Sequence, residues 1–117
     1  MADSDARRAL GHLNHLLEIG AAPADDGPLL QRFALNRDEG AFAELVARHG
    51  GLVLGLCRRL LRDRHDAEDV FQATFLVLAR KAGAIRKPQS LSCWLHGVAY
   101  RLALKARAEA SRRREHE

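Results

Sequence analysis

Residues 73–79 (ATFLVLA) are apolar on every side of the helix that the surrounding sequence predicts, and this constrains the fold more than any other stretch. That helix spans Asp66–Lys81, DAEDVFQATFLVLARK. Asp66 is expected to cap it, with Glu68 and Asp69 in the first turn against the positive end of the helix dipole. Arg80 and Lys81 suit its C-terminal end. A helix that is apolar all round is either deeply buried or packed on two faces. In a chain of 117 residues, which makes one small domain, burial on all sides is hard to arrange. Two readings follow. The helix is the centre of the core and its acids act only as caps, or it turns one face to a partner. On the second reading Asp69, Gln72 and Leu76, spaced by three and four, form the partner surface.

The rest of the chain supplies helices for it to pack against. Residues 3–19 carry Ala6, Leu10, Leu13 and Leu17 at helical spacing, and GAAPADD at 20–26 reads as a linker. Asp26 is placed to cap a short helix over 27–35 with Pro28 in its first turn. Asn36–Asp38 breaks it. A longer pattern starts near Glu39 and carries a stripe of Phe42, Leu45, Val46, His49, Val53, Leu56 and Leu60. Gly50-Gly51 is expected to weaken or kink that helix. RDRH at 62–65 reads as a turn. GAIRKPQS at 83–90 reads as a loop, with Ser90 capping a last helix from Leu91 to about Ala110 whose core face is Leu91, Leu95, Val98 and Leu102. With no strand signal and no internal repeat, the expected fold class is all-α, a small bundle of three to five helices. The expected organisation is an extension and linker over 1–24, a domain over 25–110 and a basic tail over 111–117.

Charge divides the chain. Between Arg80 and Arg114 there are ten basic residues against one acid, Glu109, whereas residues 1–79 hold twelve acids against nine arginines. Such segregation is an electrostatic footprint for a polyanion, and a solvated basic face is the plainer alternative. The basic segment also holds the chain's Trp and Tyr. Helical spacing puts Trp94, Arg101 and Lys105 on one stripe of the last helix and Cys93, His96, Tyr100 and Arg107 on the next, with Gly97 between them leaving room for a strand to approach the backbone. Basic side chains neutralise phosphates, and aromatic rings stack on unpaired bases at about 1–3 kcal/mol each. Arg86, Lys87, Gln89 and Ser90 in the preceding loop would form a small polar pocket for a flipped base. For Trp94 the competing reading is a core residue at a helix start.

Five blocks in order resemble region 2 of bacterial RNA polymerase sigma factors of the extracytoplasmic-function group. They are the short helix at Asp26–Leu35, AFAELVARH at 41–49, CRRLLRDRHDAED at 57–69, QATFLVLARK at 72–81 and SLSCWLHGVAYR at 90–101. The resemblance covers about Asp26 to Ala110. It implies that Asp66, Glu68, Asp69, Gln72, Phe75 and Leu76 mark the helix that binds the coiled coil of the polymerase β′ subunit. It also implies that the loop around 84–90 and the helix from Trp94 open the minus-ten promoter element and hold an unstacked base of the non-template strand. Many members carry Asn at the position of Arg101 and Arg at that of Tyr100, so a phosphate contact is the role that carries over for Arg101. Members have a further DNA-reading domain, region 4. The chain stops after Arg112–Arg114, either as an excised piece or as a region-2-only protein. The alternative function is therefore a helical regulator or decoy that binds polymerase, or an anti-sigma factor, without opening DNA.

Other classes fit poorly. No phosphate-binding loop, nucleophile motif or paired core carboxylate suggests an enzyme, and no cofactor is expected. Cys93-x-x-His96, even with Cys57, His12 and His15, falls short of a zinc ligand set, and Cys57 reads as a buried small hydrophobe. Two cysteines do not make a disulfide framework, and no apolar run is long enough to span a bilayer. With no secretory signal at MADSDARR, the expected location is the cytoplasm.

Overall fold

A computed structural model describes residues 25–85 and 90–116. The helix read over 3–19, most of the linker after it, and Arg86, Lys87 and Gln89 lie outside the described residues. Within them the chain forms four α-helices and a 3-10 turn, with no strand. Helix α1 is Gly27–Asn36, α2 Glu39–Leu60, α3 Arg64–Lys81 and α4 Leu91–His116, and the 3-10 turn Ala82–Ala84 follows α3.

Helices α2, α3 and α4 each pack on the other two, and α1 lies across α2 and the 3-10 turn. Leu45, Leu78, Leu91 and Leu95 are fully buried at the centre. Thr74 is buried among them without penalty, because its hydroxyl donates to the Val70 carbonyl at 2.8 Å. The stripe read on the long helix is the one that faces inward: Leu45, His49, Val53 and Leu56 are buried, and Phe42, Val46 and Leu60 pack against the core.

The helix ends show how the bundle is assembled. Asp26 does not cap α1. Its neighbour Asp25 accepts the Gly27 N–H at 2.9 Å, while the Asp26 carboxylate turns inward. There it accepts from His49 Nε2 at 2.7 Å and Arg48 Nη1 at 3.2 Å, which pins the start of α1 to the middle of α2. Burial alone would raise the Asp26 pKa, but the hydrogen bonds and charges of His49 and Arg48 outweigh it and hold the carboxyl below its ordinary value.

At the other end of α1, Arg37 takes a left-handed conformation, φ 51°, and its N–H donates to the Phe33 carbonyl. A non-glycine residue there stores strain. It is held by its side chain, which donates to the Ala79 carbonyl at 2.8 Å and lies 4.8 Å over the Phe33 ring. Phe33 packs on Phe42 at 4.7 Å, and Asp38 caps α2 through the Ala41 N–H while pairing with Arg32 at 2.9 Å.

The Gly50-Gly51 pair, where weakening or a kink is expected, lies inside helix α2, which is continuous over Glu39–Leu60. Gly50 is buried against α3, where a Cβ would stand 3.5 Å from the Phe71 ring. A Cβ there would sit in ordinary van der Waals contact, so the helix holds through the packing around it despite glycine's poor helix propensity. The cap of α3 is Asp63, not Asp66: its carboxylate accepts from the His65 and Asp66 N–H groups at 2.7 and 3.3 Å. Helix α4 continues to His116, past the end expected near Ala110, so residues 111–116 are helical.

Candidate nucleic-acid and partner-binding surfaces

Helix α3 divides into two faces. Ala67, Val70, Thr74, Phe75 and Leu78 are buried. Asp69, Gln72 and Leu76 point outward, with Leu76 58% exposed. The apolar run at 73–79 is therefore neither wholly core nor wholly surface, and the face with three-and-four spacing is the open one. Phe75 is only 5% exposed, so its ring, 5.1 Å from that of Phe71, packs the helix inward and does not offer a contact surface. The three acids also differ. Glu68 lies 3.4 Å from Arg64 and Asp66 lies 3.8 Å from Arg113, while Asp69 has no ion pair or hydrogen bond among the described residues.

Helix α4 presents the basic and aromatic residues. Arg101 and Lys105 are exposed along one stripe; Trp94, above them, is half-buried against the core, so only part of its ring faces out. On the adjacent stripe Cys93, His96, Tyr100 and Arg107 are exposed. The His96 and Tyr100 rings stack across one turn, 6.4 Å apart and 8° from parallel. This makes a flat platform of the kind on which a base can stack. Gly97 is half-buried, and a Cβ there would stand 3.7 Å from the Arg101 guanidinium, so Arg101 folds back over the gap. Ser90, at the start of the helix, is exposed.

The structure also gathers residues that sequence reading kept apart. Arg58, Arg59 and Arg62, at the end of α2 and in the turn after it, line one open cleft with Arg107, Arg113 and Arg114 of α4. The two sets are nearly fifty residues apart. The only local signal for the first is three arginines within five residues, in a half of the chain otherwise rich in acids. Arg107 belongs to this cleft as well as to the platform stripe.

The cysteines stand apart. Cys57 is buried, with its thiol pushed up by that burial, while Cys93 is exposed on α4. Among the described residues no group of three His, Cys, Asp or Glu side chains could hold a metal ion. No described helix is long and apolar enough to cross a membrane.

Comparison with known proteins points to one family. The family model Sigma-70 region 2 matches residues 45–113, which take in most of α2, all of α3 and nearly all of α4. The RNA polymerase sigma factor CarQ of Myxococcus xanthus is 37% identical over 68 residues, 58% of this chain. The RNA polymerase sigma-H factor of Pseudomonas aeruginosa is 33% identical over 66 residues, 56% of the chain. The ECF RNA polymerase sigma factor SigE of Mycolicibacterium smegmatis is 30% identical over 100 residues, 82% of the chain. These matches span 39%, 34% and 38% of the respective relatives' own lengths. No solved structure matches at a comparable level.

Proposed function

The chain belongs to the sigma-70 region 2 family, a family of non-enzymatic transcription factors, and from that premise we propose that it docks on core RNA polymerase and captures promoter DNA during initiation. In this reading the outer face of α3, built from Asp69, Gln72 and Leu76 with Glu68 and Asp66 beside it, meets the coiled coil of the β′ subunit. The start of α4 and the loop before it, with Arg86, Lys87, Gln89 and Ser90, receive the unpaired non-template strand of the minus-ten element. Tyr100 and His96 supply a stacking surface, Trp94 stiffens the helix start, and Arg101 and Lys105 neutralise phosphates. A protein working with polymerase would act in the cytoplasm.

The observation that carries this proposal is the division of labour between two adjacent helices. Helix α3 shows solvent a carboxylate unpaired among the described residues, an amide and a 58% exposed leucine, a compact patch suited to a protein. Helix α4 shows solvent stacked rings and exposed cations, suited to a nucleic acid.

The test is binding of fluorescently labelled chain to core RNA polymerase. Asp69→Ala and Gln72→Ala should each weaken binding about tenfold, on the scale of 1–2 kcal/mol for a contact residue, and leave the helical circular dichroism unchanged. Wild-type affinity in both variants would remove α3 as the docking face, and the absence of binding to any polymerase subunit would overturn the whole reading. Opening of a minus-ten-like fork by the assembled complex separates an initiator from a regulator that binds polymerase alone.

A further inference from the structure

The arginine cleft at the far end of the bundle begins at Arg107, about 10 Å along α4 from Tyr100, and reaches about 21 Å at Arg114, taking seven and fourteen residues at helical rise. It is open and has a volume of about 720 Å³. Arg58, Arg59, Arg62, Arg107 and Arg114 line it, and among the described residues none of these five makes an ion pair or hydrogen bond. The two carboxylates in the cleft are already engaged. Asp63 accepts from the amides of α3, and Asp66 faces Arg113 at 3.8 Å. Six arginines against two carboxylates leave the cleft with a clear excess of positive charge.

We propose that this cleft is a binding site for the phosphate backbone of duplex DNA, distinct from the surface that takes unpaired bases. Three observations select this ligand. The guanidinium fork suits phosphate oxygens, and the cleft carries arginines without a single lysine. No aromatic side chain lines it, its apolar wall being Leu60, Leu61 and Ala110, so it offers phosphate contact and no stacking platform for unpaired bases. Finally, it continues the platform face: Cys93, Tyr100, Arg107 and Arg114 recur every seven residues, so the side of α4 that carries the Tyr100 ring carries cations further on. At about 3.4 Å per nucleotide along a strand, 21 Å corresponds to roughly six nucleotides, enough to pass from an unpaired segment into the flanking duplex.

This proposal rests on the reading that α4 faces DNA, but its test is separate from polymerase docking. The full chain is titrated with a labelled mixed-sequence duplex and, separately, with a labelled single strand over a series of salt concentrations. The cleft variant is the triple Arg58→Gln, Arg62→Gln and Arg114→Gln, all at exposed positions, so the core is spared. It should bind duplex at least tenfold more weakly at low salt, with the slope of log affinity against log salt reduced by about 2–3, and bind the single strand within about twofold of wild type. Arg101→Ala with Lys105→Ala should do the reverse. Lysine at the same three cleft positions should restore the slope.

Unchanged duplex affinity and slope in the glutamine triple would overturn the proposal. So would displacement of the duplex by poly-glutamate at equal charge, since the cleft would then be a site for an acidic protein. A chain that binds duplex through the cleft but no polymerase would overturn the proposed function alone. Polymerase docking with a cleft indifferent to duplex would overturn this inference alone.

Discussion

The two ends of the bundle treat charge in opposite ways. Where α1 crosses, Asp26 holds Arg48 and His49, Asp38 holds Arg32 and caps α2, and Arg37 reaches across to the Ala79 carbonyl. At the opposite end five arginines face an open cleft without partners among the described residues, and among these residues one ion pair at 3.8 Å joins α3 to α4. Polar contacts at the first end hold helices in place. At the second the helices are held by apolar packing beneath, through Leu61 and Ala103 among others, and the surface charge is left for something outside the fold. The comparison teaches that charge bearing on stability and charge bearing on binding can be told apart by their partners, even in a chain where both are mostly arginine.

Removing polar groups at the two ends should break the symmetry in a definite order. The largest effect is expected for Asp26→Ala, which leaves His49 buried without its carboxylate; a loss of about 2 kcal/mol in urea unfolding would fit a buried, charge-assisted hydrogen bond. The same carboxyl predicts a pH dependence. Its pKa is lower in the folded state than in the unfolded chain, so the folded state releases the proton more readily. The stability it contributes is present above the ordinary carboxylate range, near 4, and is lost as pH falls through the lowered folded value. Unfolding of the wild type followed from neutral pH down to acid should converge on that of Asp26→Ala.

A middle-sized effect, about 1 kcal/mol, is expected for Asp63→Ala, which removes the cap of α3 at the cleft end. The smallest belongs to Arg113→Gln. The pair with Asp66 is long and its arginine is largely exposed, so thermal unfolding should register no more than about 0.5 kcal/mol. If Arg113→Gln proved as costly as Asp26→Ala, the cleft end would be a braced structure like the other, and the contrast would fail.

Much of this arrangement was legible in the residue pattern, and the parts that were not share a cause. Apolar periodicity identifies α1 through α4 because each must bury one face, and it picks out Asp69, Gln72 and Leu76 as the face left over. It fails where two local solutions are equally good. In the run RDRHD, Asp63 and Asp66 are both acceptable caps, and what decides between them is where Leu61 must be buried to end α2. The Gly50-Gly51 pair reads only as a weak point because the chain does not announce the Phe71 ring that packs there. Asp26 reads as a cap because His49 is twenty-three residues away. Phe75 reads as a contact residue through resemblance, whereas its packing is inward. The end of α4 was read at Ala110, yet the following SRRREH continues the helix with arginines of good propensity. The cleft was the least legible of all, since nothing local links residues 58–62 to residues 107–114.

The contrast between the two cysteines gives the molecule one chemically addressable point. Cys57 is sealed in the core with its thiol shifted away from the reactive thiolate form, while Cys93 stands at the surface one residue before Trp94. A thiol-directed dye added to the folded protein therefore reports from a single known place, on the same side of α4 as the stacked rings and the cleft arginines. Mild oxidants act under the same constraint: they reach the surface of α4 before they reach the centre of the fold.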